Sequence, residues 1–145
     1  MKWNNIVWKD KEIWLYKFQR KIFNLSKMGD MKTVFFIQKQ LIEHENAKFL
    51  AVRKVTQDNL GKRTAGVDGI FLLTPDERMN LVKNIKIDQH SDKILRVTIP
   101  KPNGSVRNLG IPTIRDRAKQ CLVKFALEPQ YEAFFWTKQL RVQAW

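Results

Sequence analysis

Residues Ile99–Gln120 read IPKPNGSVRNLGIPTIRDRAKQ, and the way this stretch folds decides the architecture. Its first twelve residues hold Lys101, Arg107, two prolines, two glycines and no acid. Pro102-Asn103-Gly104 is a tight-turn signal. Ile94 to Ile99 has the β-rich character of a strand, and Val106 to Ile111 is a second, shorter one, so the segment predicts a β-hairpin. Thr113 then supplies a helix cap, and a helix is predicted to about Leu127. Pro129 follows, with a helical continuation through Tyr131 and Phe135 allowed. Lys101 near the turn and Arg107 on the returning arm can converge on one polyphosphate, the first as a mobile point charge and the second as a planar fork. Pro100, Pro102 and Pro112 stiffen the flanks and lower the ordering cost of such binding. The competing reading is a surface hairpin with solvated charges.

Upstream of the hairpin the pattern is helical. Trp14, Phe18, Ile22 and Leu25 recur at steps of four, four and three, which predicts a helix from Asp10 to Met28 with one apolar stripe. Gly29 breaks it and Asp30 caps a second helix, Met31 to about Glu43. A third is predicted from about Asn46 to Asn59, with Gly61 as its stop. The glycine-rich segment Gly61–Ile70 is a loop whose backbone N–H groups can approach a phosphate, while Asp68-Gly69 reads as a turn in preference to a metal ligand. Thr74-Pro75-Asp76-Glu77 carries every element of a capping box and opens a helix predicted to reach Ile87. Helices, then a hairpin, then a helix give an α+β fold.

Charge narrows the partners. The chain has 27 Lys and Arg against 14 Asp and Glu, a net charge of +13, spread over both halves of its 145 residues. Such a field draws polyanions, and nucleic acid, chiefly RNA, is expected ahead of a membrane. No stretch approaches the ~18 uncharged apolar residues of a membrane span. The opening MKWNNIVWKDKEIW has neither the apolar run of a signal peptide nor, with Asp10 and Glu12, the acid-poor character of a transit peptide. Cys121 is the only cysteine, which excludes an internal disulfide and a Cys-based zinc site, and it is assigned to the core. Trp3, Trp8 and Trp14 are assigned to the core, and His44 to a helix end at the surface. No metal or cofactor is expected.

The segment RVTIPKPNGSVRNLGIPTIRDRAKQ resembles the first fingers motif of reverse transcriptases encoded by group II introns, approximately IPKP-x-G-x-x-RPLGIPT-x-x-DR-x-x-Q. It departs from that pattern at Asn108, where the family has proline. Ala51–Gly69 resembles the family's preceding block, and the opening W-x-x-I-x-W with K-x-Q-x-x-IF, from Trp3 to Phe23, is similar to the amino-terminal extension of intron-encoded maturases. The resemblance implies a fragment of a right-hand polymerase fold. It implies that residues 1–60 form a helical RNA-binding extension, that 61–135 form partial fingers, and that 136–145 are a divergent tail. It assigns Lys101 and Arg107 to the triphosphate of an incoming nucleotide and Asp116 and Arg117 to capping and orienting; Arg53, Lys54, Lys62 and Arg63 are the basic residues best placed near group II intron RNA, a solvated helix end being the competing reading.

A polymerase joins nucleotides with acids that hold two metal ions. The sequence contains no Asp-Asp pair, and WTKQLRVQAW stands where the family's S-Y-G-F-R-P-type segment is expected. The expectation is a truncated, RNA-binding chain with no catalysis of its own, encoded in an organelle such as a chloroplast, or else working in a bacterial cytoplasm. A self-contained module that assists splicing and an unrelated ribosomal-type basic protein are the alternatives. Loss of the palm is expected to leave the apolar face of the last helix, Leu122, Phe125, Ala126 and Phe134, uncovered and open to a partner.

Overall fold

The computed structural model describes residues 2–143, with side chains to Trp136. Helix α1 (Trp8–Met28) buries Ile22 and lays Trp14, Phe18 and Leu25 on the core, as its stripe predicts. It ends at Gly29, whose left-handed φ of 79° turns its N–H back to the Leu25 and Ser26 carbonyls. Asp30 accepts from the Thr33 N–H and starts α2 (Met31–Glu43). His44 ends α2 and caps α3 (Glu45–Arg53), its Nδ1 accepting from the Asn46 N–H while its ring stacks 4.0 Å from Trp14.

Beyond Arg53 the predicted helix changes geometry. Lys54–Asp58 form a π turn, closed by the Asn59 N–H on the Lys54 carbonyl. The Thr56 hydroxyl donates to the Val52 carbonyl at 2.7 Å, competing there with the backbone ladder. A 3-10 turn, Leu60–Arg63, follows, so Gly61 lies inside a turn and is not the stop. Helix α4 (Pro75–Asn84) has the predicted capping box but ends before Ile87, because Ile85 turns to extended backbone and is buried.

Strands β1 (Leu95–Pro100) and β2 (Val106–Ile111) pair antiparallel as one hairpin, with Ile99 opposite Arg107. Its faces are largely exposed, and it pairs chiefly with itself while the helices pack on one another. Gly104, at φ 80°, lets the turn close with its N–H on the Lys101 carbonyl.

Helix α5 (Ile114–Gln143) is the spine. α1, α2 and α3 all pack on it, and one apolar cluster runs from Trp3 through Phe49 to Leu122 and Phe125. The expectation of an uncovered face is therefore corrected for Leu122, Phe125 and Ala126, which are buried under the amino-terminal helices, while Phe134 is exposed as expected. Exposed apolar side chains lie further along, at Leu127, Tyr131, Phe134, Phe135 and Trp136. Among the described residues no helix is long and apolar enough to cross a membrane.

The helix continues through Pro129, which has no N–H for the Phe125 carbonyl. Two glutamines meet that site. Gln19 Nε2 donates to the Phe125 carbonyl at 3.0 Å, and Gln38 Nε2 donates to the Ala126 carbonyl at 3.0 Å and to Gln130 Oε1 at 2.7 Å. Gln19→Ala is expected to cost about 1–2 kcal/mol in chemical denaturation, the range for leaving a part-buried carbonyl unmade. In a Pro129→Ala background, where the backbone N–H returns, that cost should shrink towards zero, and an unchanged cost would refute the coupling.

Candidate nucleic-acid interface

The hairpin pleat decides where the two predicted cations point. Arg107 faces Ile99 across the ladder, and Lys101 stands two residues past Ile99 with its N–H still bonded across to the Ser105 carbonyl at 2.8 Å. Alternation then puts Lys101 and Arg107 on one face, near the tip. Both are exposed, and neither side chain has a hydrogen-bond or ion-pair partner among the described residues. Leu95, Val97, Leu109 and Ile111 occupy the same face nearer the body, while Arg96 faces Gly110 on the other.

The second predicted group is built differently. Arg53 is half-buried, paired with Glu12 at 3.1 Å and Asp58 at 3.6 Å, and its guanidinium lies 4.7 Å from the Trp8 ring. Lys54 sits 5.7 Å from the Phe125 ring, and Lys62 donates to the Gln57 carbonyl at 2.6 Å. Arg63 is exposed. Arg53 and Lys62 thus hold the π turn together with the same charges they would offer to a phosphate.

The foot of the hairpin is a polar knot centred on Asp92, to which the sequence reading assigned no role. Asp92 Oδ2 accepts from the Thr113 hydroxyl at 2.8 Å and Oδ1 from Arg115 at 2.7 Å, while the Asp92 N–H donates to Asp116 at 2.7 Å. The same Thr113 hydroxyl oxygen accepts the Asp116 N–H and caps α5. An acid ahead of a strand that returns to Thr-x-Arg was the available signal. Lys119 adds a strap, donating to Asp88 and to the His90 carbonyl.

The glycine loop docks on this foot. A Cβ on Gly66 would come within 2.9 Å of the Thr113 backbone, so this glycine makes room for the chain itself. Arg117 donates to the Gly61 and Thr64 carbonyls, which ties the loop to α5. Asp68 Oδ1 accepts from the Ile70 N–H beside Gly69 at φ 71°, the predicted turn. Cys121 is buried, and burial pushes its thiol up to about 11, as befits a core residue. Among the described residues no three His, Cys, Asp or Glu side chains form a group that could hold a metal ion.

Helices gathered on one long helix, with a cationic hairpin held off them, make an α+β unit with exposed positive charge at the hairpin tip. A model of the N-terminal domain of reverse transcriptase matches residues 3–85, more than half of the chain, and the chain belongs to that family. It is 35% identical over 136 residues to Maturase-like protein 1 of Euglena gracilis, covering 92% of this chain and 30% of that protein. It is 28% identical over 135 residues to Maturase-like protein 1 of Euglena longa, with 91% and 30% covered. Protein YkfC of Escherichia coli strain K12 is 37% identical over 90 residues, covering 58% of this chain and 24% of that protein. The chain thus spans less than a third of the length of these curated relatives, and it is maturase-like and reverse transcriptase-like over most of its own.

The Thr113 hydroxyl, more than the Arg115 charge, holds the Asp92 carboxyl below its ordinary 3.8. A depressed folded pKa gives stability that is present above about pH 4 and lost as the pH falls through the depressed value. Denaturation followed from pH 6 to about pH 2 should therefore show a steeper acid loss for the native chain than for Asp92→Asn. Equal slopes would remove the knot from the fold's stability.

Proposed function

We propose that this chain binds RNA through the hairpin cations Lys101 and Arg107 and the basic segment holding Arg53, Lys54, Lys62 and Arg63. The observation that carries this is the pair of exposed cations, their side chains unpartnered among the described residues, on one face of an anchored hairpin in a chain of net charge +13. Family resemblance gives Lys101 and Arg107 the phosphates of a nucleotide in a whole polymerase; alone, the same geometry suits a phosphodiester chain. Structured group II intron RNA is the proposed ligand, residues 1–60 being the RNA-gripping extension and 61–135 partial fingers.

With no Asp-Asp pair in the sequence, the chain is proposed to work by binding, without joining nucleotides. The two relatives named maturase-like favour that role. Their Euglena source supports an organelle-encoded protein, with a chloroplast first, and the Escherichia coli relative keeps the bacterial cytoplasm as the alternative.

Affinity for a group II intron RNA fragment should fall steeply with salt, by roughly 0.7–0.9 in log slope per neutralised phosphate. Replacing both Lys101 and Arg107 with glutamine should flatten that slope by about 1.4 or more. An unchanged slope would move the interface elsewhere. A primer-extension assay on the purified chain should give no product, and any product would overturn the non-catalytic reading.

A further inference from the structure

Helix α1 carries a second face that the core does not use. Tyr16, Arg20, Phe23 and Lys27 follow one another at steps of four, three and four, so ring and cation alternate along one side. At about 1.5 Å per residue the row is about 17 Å long. Tyr16 is 61% exposed and Trp136, from α5, is 44% exposed. Lys27 Nζ lies 3.5 Å from the Trp136 ring centroid and 5.6 Å from that of Phe23, so the row continues onto α5. A cleft of about 270 Å³ runs beside it, with Tyr16, Arg20 and Phe23 on the α1 wall and Glu128, Pro129 and Glu132 on the α5 wall.

We propose that this face binds single-stranded RNA, with bases stacked on Tyr16, on Phe23 and on the side of Trp136 that Lys27 does not cover, and phosphates on Arg20 and Lys27. The inference rests on RNA being the ligand of the chain and names a surface that neither the hairpin nor the π turn provides. Rings interleaved with cations suit a strand whose unpaired bases offer π faces at intervals between charges. A second copy of the chain is disfavoured by like charge, since each carries +13. Glu128 and Glu132 repel phosphates from the α5 wall, which keeps the sugar–phosphate chain on α1 and turns the bases into the cleft.

The test uses the full chain, a short unstructured fluorescein-labelled RNA oligonucleotide and its duplex form, with anisotropy and tryptophan fluorescence read together. The single strand should quench tryptophan emission and the duplex should not. Trp136→Phe should remove a distinct part of the quench while anisotropy still reports binding. Tyr16→Ala and Phe23→Ala should each weaken single-strand affinity about tenfold, and Tyr16→Phe, which keeps the ring, should not. Circular dichroism establishes that each variant is folded. RNA binding that is undiminished in the two alanine variants, or a quench untouched in Trp136→Phe, would overturn this face and leave RNA binding by the chain standing. No anisotropy change at any salt would overturn RNA binding itself. Displacement of the RNA by an acidic polypeptide that produces the same Trp136-dependent quench would assign the face to a protein partner.

Discussion

The carbonyl of Phe125 is the point on which the helical body turns. Pro129 deprives it of its usual helical donor, and a part-buried carbonyl with no partner is a costly defect in a long helix. Gln19 of α1 repairs it, and one residue on Gln38 of α2 adds a bond to the Ala126 carbonyl and reaches Gln130. These bonds are directional, whereas the apolar contacts around them are not. They therefore fix the height at which α1 and α2 sit on α5. The apolar cluster around them, Leu122 and Phe125 included, is buried in that same alignment.

The hairpin answers to a separate constraint. A two-stranded ribbon in water is marginal unless something holds it. Here the holding is done at its foot, where Asp92 joins β1's approach to the cap of α5 through Thr113, Arg115 and Asp116. Gly66 and Arg117 bring the preceding loop to the same spot. The tip is left exposed, with Lys101 and Arg107 on it, so the cations are carried on an arm whose base is specified and whose end is available.

Cations in this protein fall into two kinds. Arg53 and Lys62 are tied into the π turn, and Lys119 straps the segment around Asp88 to α5. Lys101, Arg107 and Arg63 have no such internal duty among the described residues. A charge already neutralised by a carboxylate contributes less to a polyanion's capture than an unpaired one, so in the proposed RNA binding the hairpin tip would weigh more than its share of the charge count suggests.

Sequence alone determined the local elements. The stripe Trp14–Phe18–Ile22–Leu25, the Gly29 stop, the capping box at Thr74 and the Pro102-Asn103-Gly104 turn are each set by neighbours in the chain, and each stands in the structure as predicted. The placement of Cys121 in the core and of Asp68 in a turn was legible for the same reason. What the tertiary structure decided are contacts between residues far apart in the chain. Gln19 with Phe125, Asp92 with Thr113 and Gly66 against Thr113 leave no mark in local pattern. The fate of Leu122, Phe125 and Ala126 was of this kind. A helix's apolar stripe records that it will be covered, but which element covers it depends on how α1, α2 and α3 align along α5, and hydrogen bonds spanning the chain set that alignment.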